Sequence, residues 1–161
     1  MKTIIKSILF AIFFTSFLAN AQSFGEELTV LQSQNFEWFK TNAPNLLKKT
    51  PYNIQAVTAE QLSDSSMPSQ QEIVEITKTI VQRNWYQNQY SIITKKYIKP
   101  LKAAQELIDV NEVLLNSYNQ ATTKLVSGEI TYGEYNKVKQ KIIENNVTDV
   151  KKIANKYGLS K

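Results

Sequence analysis

The chain has 161 residues, 42% of them hydrophobic, a formal net charge of +5, and neither cysteine nor histidine. Without those two residue types, disulfides, thiolate nucleophiles, Ser–His–Asp triads, zinc–imidazole centres and Glu-x-x-His di-metal bundles are excluded. No Ser-x-x-Lys occurs, and the four glycines are scattered singly, so no phosphate-cradling loop is present either.

The N-terminus reads as a secretory signal peptide over residues 1–21. Lys2 and Lys6 form a short positive region, residues 7–18 an apolar run, and Ala19-Asn20-Ala21 a small-x-small cleavage site. The apolar run is shorter than the ~18–20 residues that span a bilayer. With no cysteine to carry a lipid, the expectation is soluble export, with cleavage near Ala21–Gln22 and a periplasmic or secreted location. Loss of Lys2 and Lys6 reduces the net charge from +5 to +3. Residues 22–161 are then one domain, large enough to bury a core without staples.

Residues 24–41 have helical periodicity, with Phe24, Leu28, Leu31 and Trp38 on one side and Ser23 and Glu26 as a weak start. Residues 42–68 are broken by Pro44, Pro51 and Pro68 and by the Ser/Asp cluster at 63–66, which predicts an irregular stretch with short helical turns. Thr58 with Gln61, Ser69 with Glu72 and Thr131 with Glu134 have the spacing of capping boxes. The second of these opens a long helix over 70–98, which Pro100 ends or kinks.

The C-terminal part predicts an antiparallel helical hairpin, 101–127 and 132–157, with Gly128 as a left-handed cap and Gly158 as the final stop. Ala104, Ile108, Asn111, Leu115, Tyr118, Thr122 and Leu125 alternate by four and three, the seam of a coiled-coil pair. Tyr135, Val138, Ile142, Val150, Ile153 and Tyr157 form the facing stripe. Its spacing slips at residues 145–148, where a break or register shift is expected. Leu107, Val110, Leu114 and Ala121 form a second apolar line, so the 101–127 helix should be covered on two sides. The fold expected is an all-α, small helical bundle built on this hairpin, with residues 22–68 less regular than the 69–161 core.

The structural turn comprises Gly128, Ile130, Thr131, Glu134 and Tyr135. The sequence Leu125-Val126-Ser127-Gly128-Glu129-Ile130-Thr131-Tyr132-Gly133-Glu134-Tyr135-Asn136 resembles the turn of small, uncharacterised exported helical proteins of Gram-negative bacteria. That resemblance implies a bacterial periplasmic setting and a helical hairpin, and it carries no functional residue.

Candidate chemistry is sparse. Glu106, Asp109 and Glu112 face Lys151, Lys152 and Lys156 across the hairpin, which reads better as a charge stripe than as a pair of catalytic acids. Trp85, Tyr86, Tyr90 and Tyr97, with Arg83, Lys95, Lys96 and Lys99, are the candidate binding residues, since aromatics beside cations stack on sugars or protein partners. Ordinary core and rim packing competes with that reading. No metal site and no cofactor is expected. Charge this modest, on an exported chain, argues against nucleic acid. The apolar face of 132–157 is already committed to the hairpin, which argues against membrane association. The function expected is non-enzymatic, through contact with another envelope or secreted protein, in an inhibitor, immunity, chaperone or accessory role. The alternatives are a carboxylate-dependent cell-wall glycan hydrolase and a glycan- or lipid-binding module.

Overall fold

The protein is described by a computed structural model covering residues 18–53 and 56–159, with side chains from Ser23 onward. The fold is all-α, and no strand occurs among the described residues. Among the described residues are four long helices, α1 (Leu18–Asn42), α4 (Gln70–Tyr97), α5 (Leu101–Val126) and α6 (Tyr132–Tyr157), with two short ones, α2 (Pro44–Lys49) and α3 (Ala59–Ser63), between α1 and α4. Most of the expected signal peptide lies outside the described residues. Its last residues, from Leu18, form the first turn of α1, so the helix expected from residue 24 begins earlier and Ser23 is interior to it.

All three capping boxes form. In each, the hydroxyl of Thr58, Ser69 or Thr131 accepts from the backbone N–H three residues on, while Gln61, Glu72 or Glu134 accepts from the cap residue's own N–H. Hydroxyl caps of this kind stabilise a helix start by about 1 kcal/mol each. Pro100 is the N-cap of α5, so it separates two helices rather than kinking one. Gly128 and Gly158 adopt φ of 73° and 64°, the left-handed conformation that lets α5 and α6 stop where glycine occurs.

α1 packs on α4, α4 on α5, and α5 on α6 across the short 127–131 turn. α5 is thereby covered on two sides, as its two apolar lines require. α6 runs unbroken through residues 145–148, against expectation. There the side chain of Asn146 turns inward and donates to the Val110 carbonyl, and the Thr148 hydroxyl donates back to the Glu144 carbonyl. A second departure is that Val138, placed on the buried stripe by its hydrophobicity, is exposed, whereas Lys139 is buried. The stripe that faces the bundle repeats as Tyr132, Lys139, Asn146 and Ile153, seven residues apart, and two of its four members are polar.

Two separate apolar clusters result. Phe39, Ala43, Leu46, Ile76, Ala121, Leu125, Tyr132 and Tyr135 fill the end near the α5–α6 turn. Phe24, Ile98, Ala103, Ala104, Leu107 and Ile153 fill the other. A belt of inward-facing polar side chains accompanies them, with Gln82 and Gln87 midway along α4 and Asn35, Thr122 and Lys139 nearer the turn-end cluster. At the turn end, α2 and α3 are tied to the long helices by backbone. The buried Glu75 carboxylate of α4 accepts from the Asn45 and Leu46 N–H groups and from the Asn45 amide, which caps α2 from a neighbouring helix. Gly133 brings the α6 backbone against residues 62–64 so closely that a Cβ there would meet the Leu62 carbonyl oxygen at 2.7 Å.

Candidate functional site

The binding residues expected on α4 divide into two groups. Trp85 stands on the outer face, 39% exposed, in line with Val74, Val81 and Ile92, which are 49%, 72% and 61% exposed. The spacings from Val74 are 7, 11 and 18 residues, and 18 residues make five turns, so the four side chains form one straight line about 27 Å long. Lys78 and Lys95 flank the line, one on each side by helical position. Isolated exposed apolar residues are ordinary on a protein surface, but an aligned row of them on one helix has the geometry of a packing seam.

Tyr86, Tyr90 and Tyr97 lie on the inner side of α4. Tyr97 packs edge-on against Phe24 and donates to Glu27 at 2.6 Å, and Lys96 pairs with the same carboxylate at 2.6 Å. That set fastens α1 to α4 and is structural. Tyr86 and Tyr90 sit deeper, in the polar belt. Burial pushes both phenols up from their ordinary pKa, yet each keeps accessible surface.

The belt contains two cations that the sequence did not single out as a pair. Arg83 Nη1 donates to Thr122 Oγ1 at 2.8 Å and to Asn119 Oδ1 at 3.3 Å, and Nη2 to the Tyr135 hydroxyl at 3.3 Å. Its guanidinium lies over the Tyr118 ring at 5.6 Å. Lys139 Nζ donates to Thr50 Oγ1 at 2.7 Å and to the Pro51 carbonyl at 3.1 Å, and lies over the Tyr135 ring at 5.7 Å. Burial, reinforced by Arg83, lowers Lys139 to a pKa of about 7. On the α1 side, Gln82 donates to Asn35 Oδ1 at 2.8 Å and Asn35 to the Tyr52 hydroxyl at 2.7 Å. Further along, the Asn111 amide donates to Gln87 Oε1. Sequence reading missed Lys139 because a lysine in the polar run Lys137–Lys141, beside the apolar Val138, looks like solvent-facing charge on an amphipathic helix. Only its seven-residue spacing from Tyr132 and Asn146 marks it as inward.

The hairpin residues have mechanical roles. Gly128 and Thr131 end and start helices, Glu134 completes the cap, Ile130 packs on the turn-end cluster, and Tyr135 belongs to both that cluster and the belt. Of the expected charge stripe, Glu106 pairs with Lys156 at 2.8 Å and also accepts from the Tyr157 hydroxyl, whereas Lys152 pairs within its own helix with Asp149 and Asp109 accepts from Gln105. Among the described residues no group of three or more Asp or Glu is placed to hold a metal ion, and no helix is long and apolar enough to cross a membrane. Comparison with protein-family models, curated proteins and solved structures finds no match to this chain.

Proposed function

We propose that this is a non-enzymatic exported protein of the bacterial cell envelope that acts by contact with another protein, in an inhibitor, immunity, chaperone or accessory role. The observation that carries the reading is the straight apolar line of Val74, Val81, Trp85 and Ile92 on the outer face of α4. Helical spacing of this kind suits a partner helix laid along α4. The flanking Lys78 and Lys95 suit acidic residues beside that partner's apolar ridge.

The state of the carboxylates supports the non-enzymatic part. Glu27, Asp64, Glu106 and Glu134 are all held below the usual carboxylate range, by Lys96, by Ser66, by Lys156 and by the Thr131 backbone N–H respectively. A general acid in glycan hydrolysis needs the opposite shift. Glu75, the buried one, is occupied in capping α2.

The test is site-specific photo-crosslinking in the producing cell, with the reactive residue at position 85 and, as a control, at the exposed position 124 on α5. A discrete adduct at 85, absent at 124 and lost when Val81→Lys and Ile92→Lys are added, is the expected result. No adduct at 85, or one that survives the two lysines in a folded protein, rejects the outer face of α4 as the contact surface.

A further inference from the structure

A buried cation is ordinarily matched by a carboxylate, because neutral acceptors compensate only part of the lost hydration. Arg83 and Lys139 depart from that pattern together. Both approach Tyr135, one through its hydroxyl and the other over its ring, and every acceptor they use is neutral: Thr122, Asn119 and Tyr135 for Arg83, Thr50 and Pro51 for Lys139. None of the ion pairs among the described residues includes either of them. Two cationic side chains thus approach one tyrosine with no carboxylate among their partners, Arg83 half-buried and Lys139 buried.

Donor capacity remains. Lys139 uses two of its three ammonium hydrogens, and the Arg83 contacts leave part of its five-donor fork unspent. Phenol groups complete the surroundings. The Tyr118 ring lies beneath Arg83, and its hydroxyl is close enough to Tyr135 and Tyr52 to feel both, as Tyr86 feels Tyr52. A phenol hydroxyl is a donor suited to an anion. The region borders solvent on one side: Arg83, Tyr86 and Tyr118 are half-buried, and Tyr52 is 37% exposed.

We propose that the polar belt is a binding site for an oxyanion, a carboxylate or a sulfate- or phosphate-type group, seated between Arg83 and Lys139 and ringed by the hydroxyls of Tyr52, Tyr86 and Tyr118. The planar guanidinium supplies paired donors to two oxygens and the ammonium a point charge to a third. The aromatic rings form walls for the body that carries the anion. The site is independent of the outer face of α4, and either can be present without the other.

The test is an NMR titration of the purified full-length protein, selectively 13C-labelled at lysine, with sodium sulfate, using sodium chloride at equal ionic strength as the reference. Sulfate is the probe because it does not titrate near neutrality. Expected is a saturable shift of the Lys139 side-chain resonance with sulfate and none with chloride. Because Lys139 begins from a pKa of about 7, sulfate affinity should be about tenfold higher at pH 6 than at pH 8. Arg83→Met and Lys139→Met should each weaken binding at least about tenfold, the loss of one charge-assisted contact. A parallel titration with acetate assigns the source. Tighter acetate binding points to a carboxylate ligand and tighter sulfate binding to a sulfate- or phosphate-type one, and either ranking supports the site. No saturable shift at Lys139 in the wild-type protein overturns the proposal, and so does binding that both variants retain. If a variant fails to fold, the wild-type titration and its pH dependence still decide.

Discussion

Gly133→Ala is the sharpest test of how the small helices are attached. Gly133 is the second residue of α6, and its N–H donates to the Asp64 carbonyl at 2.8 Å, beside the Tyr132 N–H donating to Ser66 at 3.1 Å. An alanine Cβ would lie 2.7 Å from the Leu62 oxygen, 2.9 Å from the Asp64 oxygen and 3.0 Å from the Asp64 nitrogen. All three are backbone atoms, so no rotamer change relieves the overlap. The segment cannot slide freely either, because Asp64 is bonded to Lys49 at 2.9 Å and to Ser66, and the Gln61 carbonyl accepts from Asn136 at 3.0 Å. In an open helical position the same change gains up to about 1 kcal/mol from helix propensity. Here that gain is opposed by about 1–3 kcal/mol of overpacking and by about 1 kcal/mol for each weakened N–H bond at the helix start. The net expectation is a loss of about 2 kcal/mol, or about 6 °C in Tm for a chain of this size. Gly25→Ala in α1 is the matched control, since a Cβ there meets nothing within 4 Å, and it should raise stability slightly. The measurement is urea denaturation followed by circular dichroism. If Gly133→Ala matched or exceeded Gly25→Ala in stability, the close seating of residues 62–64 on α6 would be wrong.

Three further outcomes are expected. Lys139 has a folded pKa of about 7 against about 10.4 in an unfolded chain, so from pH 7 upward the unfolded state binds the extra proton and stability rises with pH. The slope is at most about 1.4 kcal/mol per pH unit, and above pH 10 it is opposed by Tyr86, Tyr118 and Tyr132, whose phenols are raised by burial. Arg83 and Tyr135 are the groups facing Lys139, with no carboxylate bonded to it, so Lys139→Met should flatten the rise between pH 7 and 9 in denaturation curves. An unchanged slope would show that this lysine is not its source. Glu75→Ala removes three hydrogen bonds to Asn45 and Leu46 and should cost about 2–3 kcal/mol, with faster amide exchange concentrated in α2. Uniform exchange changes would contradict a local capping role. Asn136→Ala strands the Lys49 and Gln61 carbonyls, which both accept from the Asn136 amide at 3.0 Å, and should cost about 2 kcal/mol. Combined with Gly133→Ala it should be less than additive, because both changes loosen the same joint.

The elements were legible because their determinants are local. A capping box needs residues three apart, and Thr58, Ser69 and Thr131 each have the partner in place. Gly128 and Gly158 end helices for a reason confined to one φ angle. The apolar lines of α5 gave two buried faces because periodicity alone requires two neighbours. The same reading failed at Val138 and Lys139, where it followed hydrophobicity and the fold followed helical phase. It also grouped Trp85 with Tyr86, which are adjacent in sequence but about 100° apart around a helix and so face different surroundings.

Local sequence therefore determined the all-α class, the boundaries of α4, α5 and α6 to within a residue or so and the lack of cysteine- and histidine-dependent chemistry, since these depend on residue type and short spacing. Tertiary structure alone decided that α4 keeps an apolar line outside, that Glu75 caps a helix about thirty residues away in sequence, and that Arg83 and Lys139 meet at Tyr135 without a counter-ion. Those outcomes depend on which helix lies beside which, and that choice is made by packing across the whole bundle, where a polar side chain can be carried inward by the apolar residues on either side of it.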